Sequence, residues 1–229
     1  MVGGPNGSGK TTLVEYLRGA IALPLGHYLN PDALDYELVQ SGRIDFARWG
    51  VDLGAGEFLR FVEHHPLFAR AQVGLLRVEQ NAIVPAQPVP PGYLASIISD
   101  FMRRHWLGER ASFTFETVMS SGDKIDLLAE AHRIGYRSYL YYVCTETPAI
   151  NQRRIANRVR DGGHDVPADK IVHRYERSLA LLPEAIRLSD RAYLFDNSGQ
   201  SHRMFVEFES GRPINTPASP PEWFQAMTI

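Results

Sequence analysis

Apolar positions along the chain switch repeatedly between helical and strand periods. Leu13, Val14 and Leu17 have helical spacing just after a glycine-rich stretch. Leu23 to Leu29 reads as a strand entered through a turn. Asn30-Pro31 then opens a helix through Leu34, Leu38 and Val39, because proline keeps Asn30 extended and suits a first helical turn. Phe58, Leu59, Phe61 and Val62 predict a helix ending near Pro66, and Val73 to Val84 predicts a hairpin turning at Gln80-Asn81. Pro85, Pro88, Pro90 and Pro91 enforce an extended loop before a helix from about Pro91 to Trp106, carried by Leu94, Ile97, Ile98 and Phe101. Ser112 to Thr117 is a strand of alternating aromatics ending in Glu116 and Thr117. A helix from Asp123 closes at Gly135 with Ile125, Leu128 and Ile134 turned inward, and Arg137 to Cys144 is a core strand. Pro148 starts the next helix, and Pro167 begins a long one with Ile171, Tyr175, Leu179, Leu182 and Ile186 on its core side. A last core strand, from Arg191, ends in a turn through Asn197-Ser198-Gly199, read as touching the adenine end of a nucleotide. A terminal hairpin with its turn at Ser210-Gly211 and a proline-rich tail complete residues 200–229. This alternation predicts a three-layer α/β fold with a mostly parallel sheet.

At 229 residues the chain is sized for a single α/β domain with insertions, of which about 42–111 is the insertion. A hydrophobic share of 44% makes it globular. The lone cysteine, Cys144, sits among apolar strand residues and reads as a buried reduced thiol. No apolar run is long enough to span a membrane, no signal peptide precedes the first helix, and a cytoplasmic address is expected. Only Met1-Val2-Gly3 stand before the glycine-rich stretch, so the chain is expected to begin further upstream. The net charge of −2 gives no reason to expect a nucleic-acid partner.

The stretch Gly4-Pro5-Asn6-Gly7-Ser8-Gly9-Lys10-Thr11-Thr12 changes the picture from fold to chemistry. It fits Gly-x-x-x-x-Gly-Lys-[Ser/Thr], the phosphate-binding P-loop, here followed by helical spacing as the motif requires. Glycines let successive N–H groups point at an anion at a helix N-terminus. Lys10 reaches the β- and γ-phosphates, and the Thr11 hydroxyl is the candidate Mg²⁺ ligand. The stretch is therefore read as an ATP or GTP site.

Further candidates lie at strand ends. Asp32 follows the second strand, at the edge that faces the ligand crevice in open α/β sheets; it reads equally as a helix-start carboxylate. Glu116 stands where P-loop ATPases carry an apolar strand ending in Asp, and it is read as facing the nucleotide rather than as a solvated strand end. The chain lacks the Leu-Ser-Gly-Gly-Gln and Asn-Lys-x-Asp signatures of transporter ATPases and GTPases, which argues against a motor or a switch. Between Asn151 and Arg177 there are six Arg and one Lys against three Asp and one Glu. Arg153, Arg154, Arg158 and Arg160 lie on one helix, which Gly162-Gly163 joins to the next. Two such helices, over about 147–189, read as a lid that brings positive charge onto a phosphate on closing. His164 in the hinge reads equally as packing or as a polar contact to substrate or phosphate.

The P-loop, Asn30-Pro31-Asp32, Phe115-Glu116-Thr117 and the run Arg158-Val159-Arg160-Asp161-Gly162-Gly163-His164-Asp165-Val166-Pro167 together resemble the zeta toxin family of P-loop kinases, over about residues 1–41 and 112–199. The resemblance implies ATP, Mg²⁺ and phosphorylation of a small-molecule hydroxyl, a nucleotide sugar (UDP-N-acetylglucosamine) in the best-known toxins, with an antitoxin protein as partner. It also implies Asp32 as the base, Glu116 and Thr117 as acceptor-side contacts, and Arg158 and Arg160 as lid arginines. Residues 42–111 depart from the family pattern, and acceptor recognition is expected to differ there. Two rival functions remain: a nucleotide-binding module with little transfer activity, and a kinase of nucleosides or polynucleotide ends.

Overall fold

The computed structural model describes residues 1–22, 24–90, 92–160, 165–215 and 219–225. In chain order its elements are β1 (Val2–Gly3), α1 (Lys10–Ile21), β2 (His27–Leu29), α2 (Pro31–Ser41), β3 (Ile44–Asp45), α3 (Ala55–His64), α4 (Phe68–Ala71), β4 (Leu76–Glu79), β5 (Ala82–Pro85) and α5 (Tyr93–Gly108). They continue with β6 (Phe113–Thr117), α6 (Asp123–Arg133), β7 (Tyr139–Cys144), α7 (Pro148–Arg160), α8 (Ala168–Arg187), β8 (Arg191–Asp196), β9 (Arg203–Glu209), β10 (Arg212–Pro213) and α9 (Glu222–Gln225). Seven strands form one sheet in the order β10-β9-β8-β7-β1-β6-β2, and β3-β5-β4 form a second, antiparallel sheet. The chain divides into two compact units, Met1–Pro24 with Phe115–Ile229, and Leu25–Thr114.

In the first unit β6, β1, β7 and β8 run parallel, β9 pairs antiparallel to β8, and β10 pairs antiparallel to β9. Successive β7 side chains face opposite layers, as strand geometry demands. Val143 packs with Phe195 under Leu13 and Leu17 of α1, while on the other face the Tyr142 hydroxyl bonds Ser178 of α8. Helices thus cover both faces, and the fold is α/β with a mostly parallel sheet. Cys144, at the end of β7, is buried, and burial pushes its thiol up to about 12.

The sequence and the structure differ at several helix positions. In α6 the inward residues are Leu127, Leu128 and Ala131, whereas Ile125 and Ile134 are half-buried. In α8 the buried position is Ser178 rather than Leu179, because the Tyr142 hydroxyl supplies a partner that makes a buried serine affordable. Val39, read as part of the apolar stripe of α2, is 66% exposed.

In the second unit the hairpin β4–β5 turns at Gln80 (φ 48°) and Asn81 (φ 64°), the left-handed pair that matches strand twist. Asn81 also ties this turn to the segment before α3, donating to Val51 O (2.7 Å) and accepting from Leu53 N (2.7 Å). The core of the unit is aromatic: Phe46, Phe58 and Trp106 are fully buried, and Phe101 meets Phe58 edge-on at 5.1 Å. No helix among the described residues is long and apolar enough to cross a membrane.

Candidate nucleotide site

β1 delivers the chain into the P-loop, and α1 begins at Lys10. Three glycines are required by close approach as well as by positive φ. A Cβ on Gly4 (φ +147°) would lie 2.1 Å from Val143 O. On Gly7 (φ +74°) it would lie 2.8 Å from Asn151 O, and on Gly9 (φ +95°) 2.4 Å from Asn197 Nδ2. The loop is therefore wrapped by β7, by α7 and by the turn after β8. No side chain caps the N-terminus of α1, and its first turn carries no acid, so the positive end of the helix dipole is left for an anion.

Lys10 Nζ donates to Gly4 O (2.9 Å) and Pro5 O (3.0 Å), which folds the ammonium across the loop. Ser8 is buried, its N–H donates to Pro5 O (3.2 Å), and its hydroxyl has no hydrogen-bond partner among the described residues. Thr11 Oγ1 donates to Glu116 Oε2 at 2.9 Å. The parallel register explains this pair: Val2 lies opposite Glu116 and Gly3 opposite Thr117, so the end of β6 stands beside the start of the loop. Glu116 is only 3% exposed. A buried carboxylate against a threonine hydroxyl is a hard-oxygen donor set, which fits a Mg²⁺ completed by phosphate oxygens and water.

The other sequence-predicted residues are distributed as follows. Thr117 is buried, and its Oγ1 accepts from Met119 N (3.0 Å), holding the turn that follows β6. Arg158 is half-buried on the face of α7 that carries Asn151 and Ile155, the face turned to Gly7. Arg160 is exposed, and its guanidinium donates to Asn157 Oδ1. Thr12 is exposed. Gly162, Gly163 and His164 lie outside the described residues. Asp32 belongs to the second unit, exposed in the first turn of α2, where its N–H donates to Asn30 Oδ1 (2.9 Å); Asn30 is the N-cap.

Near Asp32, and within the second unit, a cleft of about 420 Å³ is lined by Gly26 to Asn30, Ala33, Leu34, Glu37, Arg48 and Trp49. Its walls carry both charge and planar rings. The Arg48 guanidinium lies 4.0 Å over the Trp49 ring and pairs with Glu37, and His27 stacks on Trp106 at 5.0 Å.

Several residues at the loop carried little signal in the sequence. Asn197 Nδ2 donates to Ser8 O (2.8 Å), and His202 Nε2 lies 3.1 Å from Gly9 O. Arg174 of α8 reaches Asn6 Oδ1 (3.4 Å), and Arg154 of α7 donates to Asn197 O (2.8 Å) and Gly199 O (3.2 Å). Both arginines fall within the cationic segment, but its composition did not distinguish them from their neighbours. Asn197 lies in the turn read as the adenine end, whereas His202 had no local signature at all.

No protein-family model matches the chain, and no curated protein does. Solved structures do. A chain of the AvrRxo1-ORF1:AvrRxo1-ORF2 complex crystallised with sulphate ions superposes with a TM-score of 0.54 at 12% identity, over 93% of this chain and 58% of that one. The complex crystallised with ATP gives 0.56 at 14% identity, over 93% and 58%. A chain from the PezAT chromosomal toxin-antitoxin system of Streptococcus pneumoniae gives 0.44 at 12% identity, over 88% and 68%. The chain shares its α/β fold with the AvrRxo1-ORF1:AvrRxo1-ORF2 structures. It spans 58% of the AvrRxo1 chains it matches, so the likeness is one of fold. Around the loop of this chain stand Thr11 with Glu116, and Asn197, His202, Arg154 and Arg174.

Proposed function

We propose that this chain is an ATP-dependent phosphotransferase that moves the γ-phosphate to a hydroxyl of a small molecule. The observation that carries the reading is the loop itself: glycines packed too tightly for a Cβ, an uncapped helix start, and the Thr11–Glu116 pair beside them. The crystallisation of a structurally similar complex with ATP supports the choice of nucleotide. Gly4 to Thr12 would hold the phosphates. Lys10 would exchange its two loop carbonyls for phosphate oxygens. Thr11, with Glu116 behind it, would hold Mg²⁺, which when bound neutralises charge on the phosphates. This gives Glu116 a metal-side role, where the family resemblance implied an acceptor-side one.

The remaining chemistry is positioning, proton acceptance and positive charge. Asp32 is proposed as the base for the acceptor hydroxyl. Arg158, Arg160 and Arg174 are proposed to bring charge to the transferred group, with Thr117 and His164 on the substrate side. The second unit's cleft, with its stacked rings and its Glu37–Arg48 pair, is proposed for acceptor recognition; a nucleotide sugar is one acceptor of suitable chemistry. A partner protein of antitoxin type and a cytoplasmic address, where ATP is plentiful, complete the proposal. The test is an ATP-consumption screen across nucleotide sugars, nucleosides and dinucleotides, with Lys10→Ala as control. Consumption that requires one acceptor and disappears in Lys10→Ala is the expected result. A parent chain that binds an ATP analogue but transfers to nothing would make it a binding module, and one that does not bind the analogue would end the reading.

A further inference from the structure

We infer that Arg154, Asn197 and His202 form a positioning clamp that fixes the peptide planes of the P-loop on either side of Gly9. The inference rests on the ATP-site reading. Its physical basis is the planarity of the peptide unit: a carbonyl and the N–H of the next residue point in opposite directions, so gripping one aims the other. Asn197 Nδ2 grips Ser8 O at 2.8 Å and thereby orients Gly9 N–H. His202 grips Gly9 O at 3.1 Å, sharing that carbonyl with Leu13 N–H (2.9 Å) at the start of α1, and the two together orient Lys10 N–H. These are N–H groups of the kind an anion nest directs at phosphate. Gly9, at φ +95°, has no Cβ to limit rotation of its planes; α1 holds the Gly9 carbonyl through Leu13 N–H (2.9 Å), and the Ser8 carbonyl is held by Asn197.

Asn197 can serve because it is itself held. Its N–H donates to Cys144 O (2.8 Å), and its carbonyl accepts from Arg154 Nη2 (2.8 Å), which also reaches Gly199 O (3.2 Å). Asn197 is 7% exposed, so its amide has little freedom to turn to water. A carbonyl only accepts, so His202 carries its hydrogen on Nε2. Burial lowers the His202 pKa below its ordinary value, opposed by the hydrogen bond to Gly9 O and aided by the Arg154 charge nearby. Arg154 lies on α7, so the nucleotide site and that helix are joined through the order Arg154, Asn197, Ser8. None of the three side chains has to touch the nucleotide to matter.

The experiment measures the affinity of a non-hydrolysable ATP analogue by calorimetry, alongside thermal unfolding. Asn197→Asp keeps the shape but turns an oxygen toward Ser8 O, and it should weaken binding roughly tenfold or more, the scale of one buried polar group left unpaired. Arg154→Ala should weaken it several-fold. The double variant should lose no more than the worse single one, because the two act in series. His202→Ala should also weaken binding, and His202→Gln, which keeps a side-chain N–H, should recover it. A purely structural role would instead lower the unfolding temperature while leaving the affinity of folded molecules at the parental value. Unchanged affinity in Asn197→Asp and Arg154→Ala, with Lys10→Ala abolishing binding, overturns the clamp and leaves the ATP site standing. If Asn197→Asp does not fold, the half-buried pair Arg154→Ala and His202→Ala decides the matter in the same way. A parent that fails to bind the analogue removes the ATP site and the clamp with it.

Discussion

Glu116→Gln isolates the metal-side role of the carboxylate from its structural role. The amide has the same shape and still accepts from the Thr11 hydroxyl across 2.9 Å, so the local packing is preserved. Exchanging a charge-assisted hydrogen bond for a neutral one should cost about 1 kcal/mol. Relief from holding a charge at 3% exposure offsets part of that. The unfolding temperature should therefore move by no more than about 2–4 °C for a chain of this length. The effect on Mg²⁺ is larger, because a group that orients or backs a metal ligand typically contributes about 10- to 100-fold in metal affinity. The assay is a Mg²⁺ titration of the protein with saturating ATP analogue, read by calorimetry and repeated for the parent. A half-saturation shifted upward by about tenfold or more supports the assignment. An unshifted Mg²⁺ curve together with a raised KM for the acceptor would return Glu116 to the acceptor side and refute the reasoning from the Thr11 contact.

Asp32→Asn should leave folding and ATP affinity nearly intact, at a cost of at most about 1 kcal/mol of helix-dipole stabilisation. If Asp32 is the base, steady-state transfer to the acceptor should fall by at least about tenfold; a parental rate would make it a helix-start residue only. Arg158→Ala and Arg160→Ala should each lower kcat more than they weaken ATP binding, and Arg158 should show the larger effect because it lies on the α7 face turned to Gly7. Loss of folding in both variants, with kcat normal per folded molecule, would return both to a structural role. Cys144 should resist alkylation at pH 8 in the folded protein. Its folded pKa of about 12 exceeds the ordinary 9.0, so the stability it contributes is whole below pH 9 and is lost progressively between about 9 and 12. Raising the pH to 10 should therefore destabilise the parent by about 1 kcal/mol more than Cys144→Ala, measured by urea unfolding.

Several features were legible in the sequence because their causes are local. The P-loop follows from glycine spacing and a lysine, the hairpin at Gln80-Asn81 from a polar pair between β-branched and aliphatic residues, and the start of α2 from a proline that keeps Asn30 extended. The inward faces of the long helices were legible only in part. Periodicity names a stripe, but whether its edge is covered depends on the neighbouring element. Leu179 yielded its buried place to Ser178 because the Tyr142 hydroxyl stands opposite. The candidate site divides along the same line. Which residues could bind phosphate was written between Gly4 and Thr12, but which carbonyls of that loop are gripped was not. Asn197 and His202 stand 189 and 193 positions from the residues they hold. Parallel pairing through β1, β7 and β8 carries the turn after β8 to the loop, and no local pattern encodes that long-range pairing. The same holds for Glu116: its place at a strand end suggested that it faces the nucleotide, and only the register of β1 against β6 set it against Thr11.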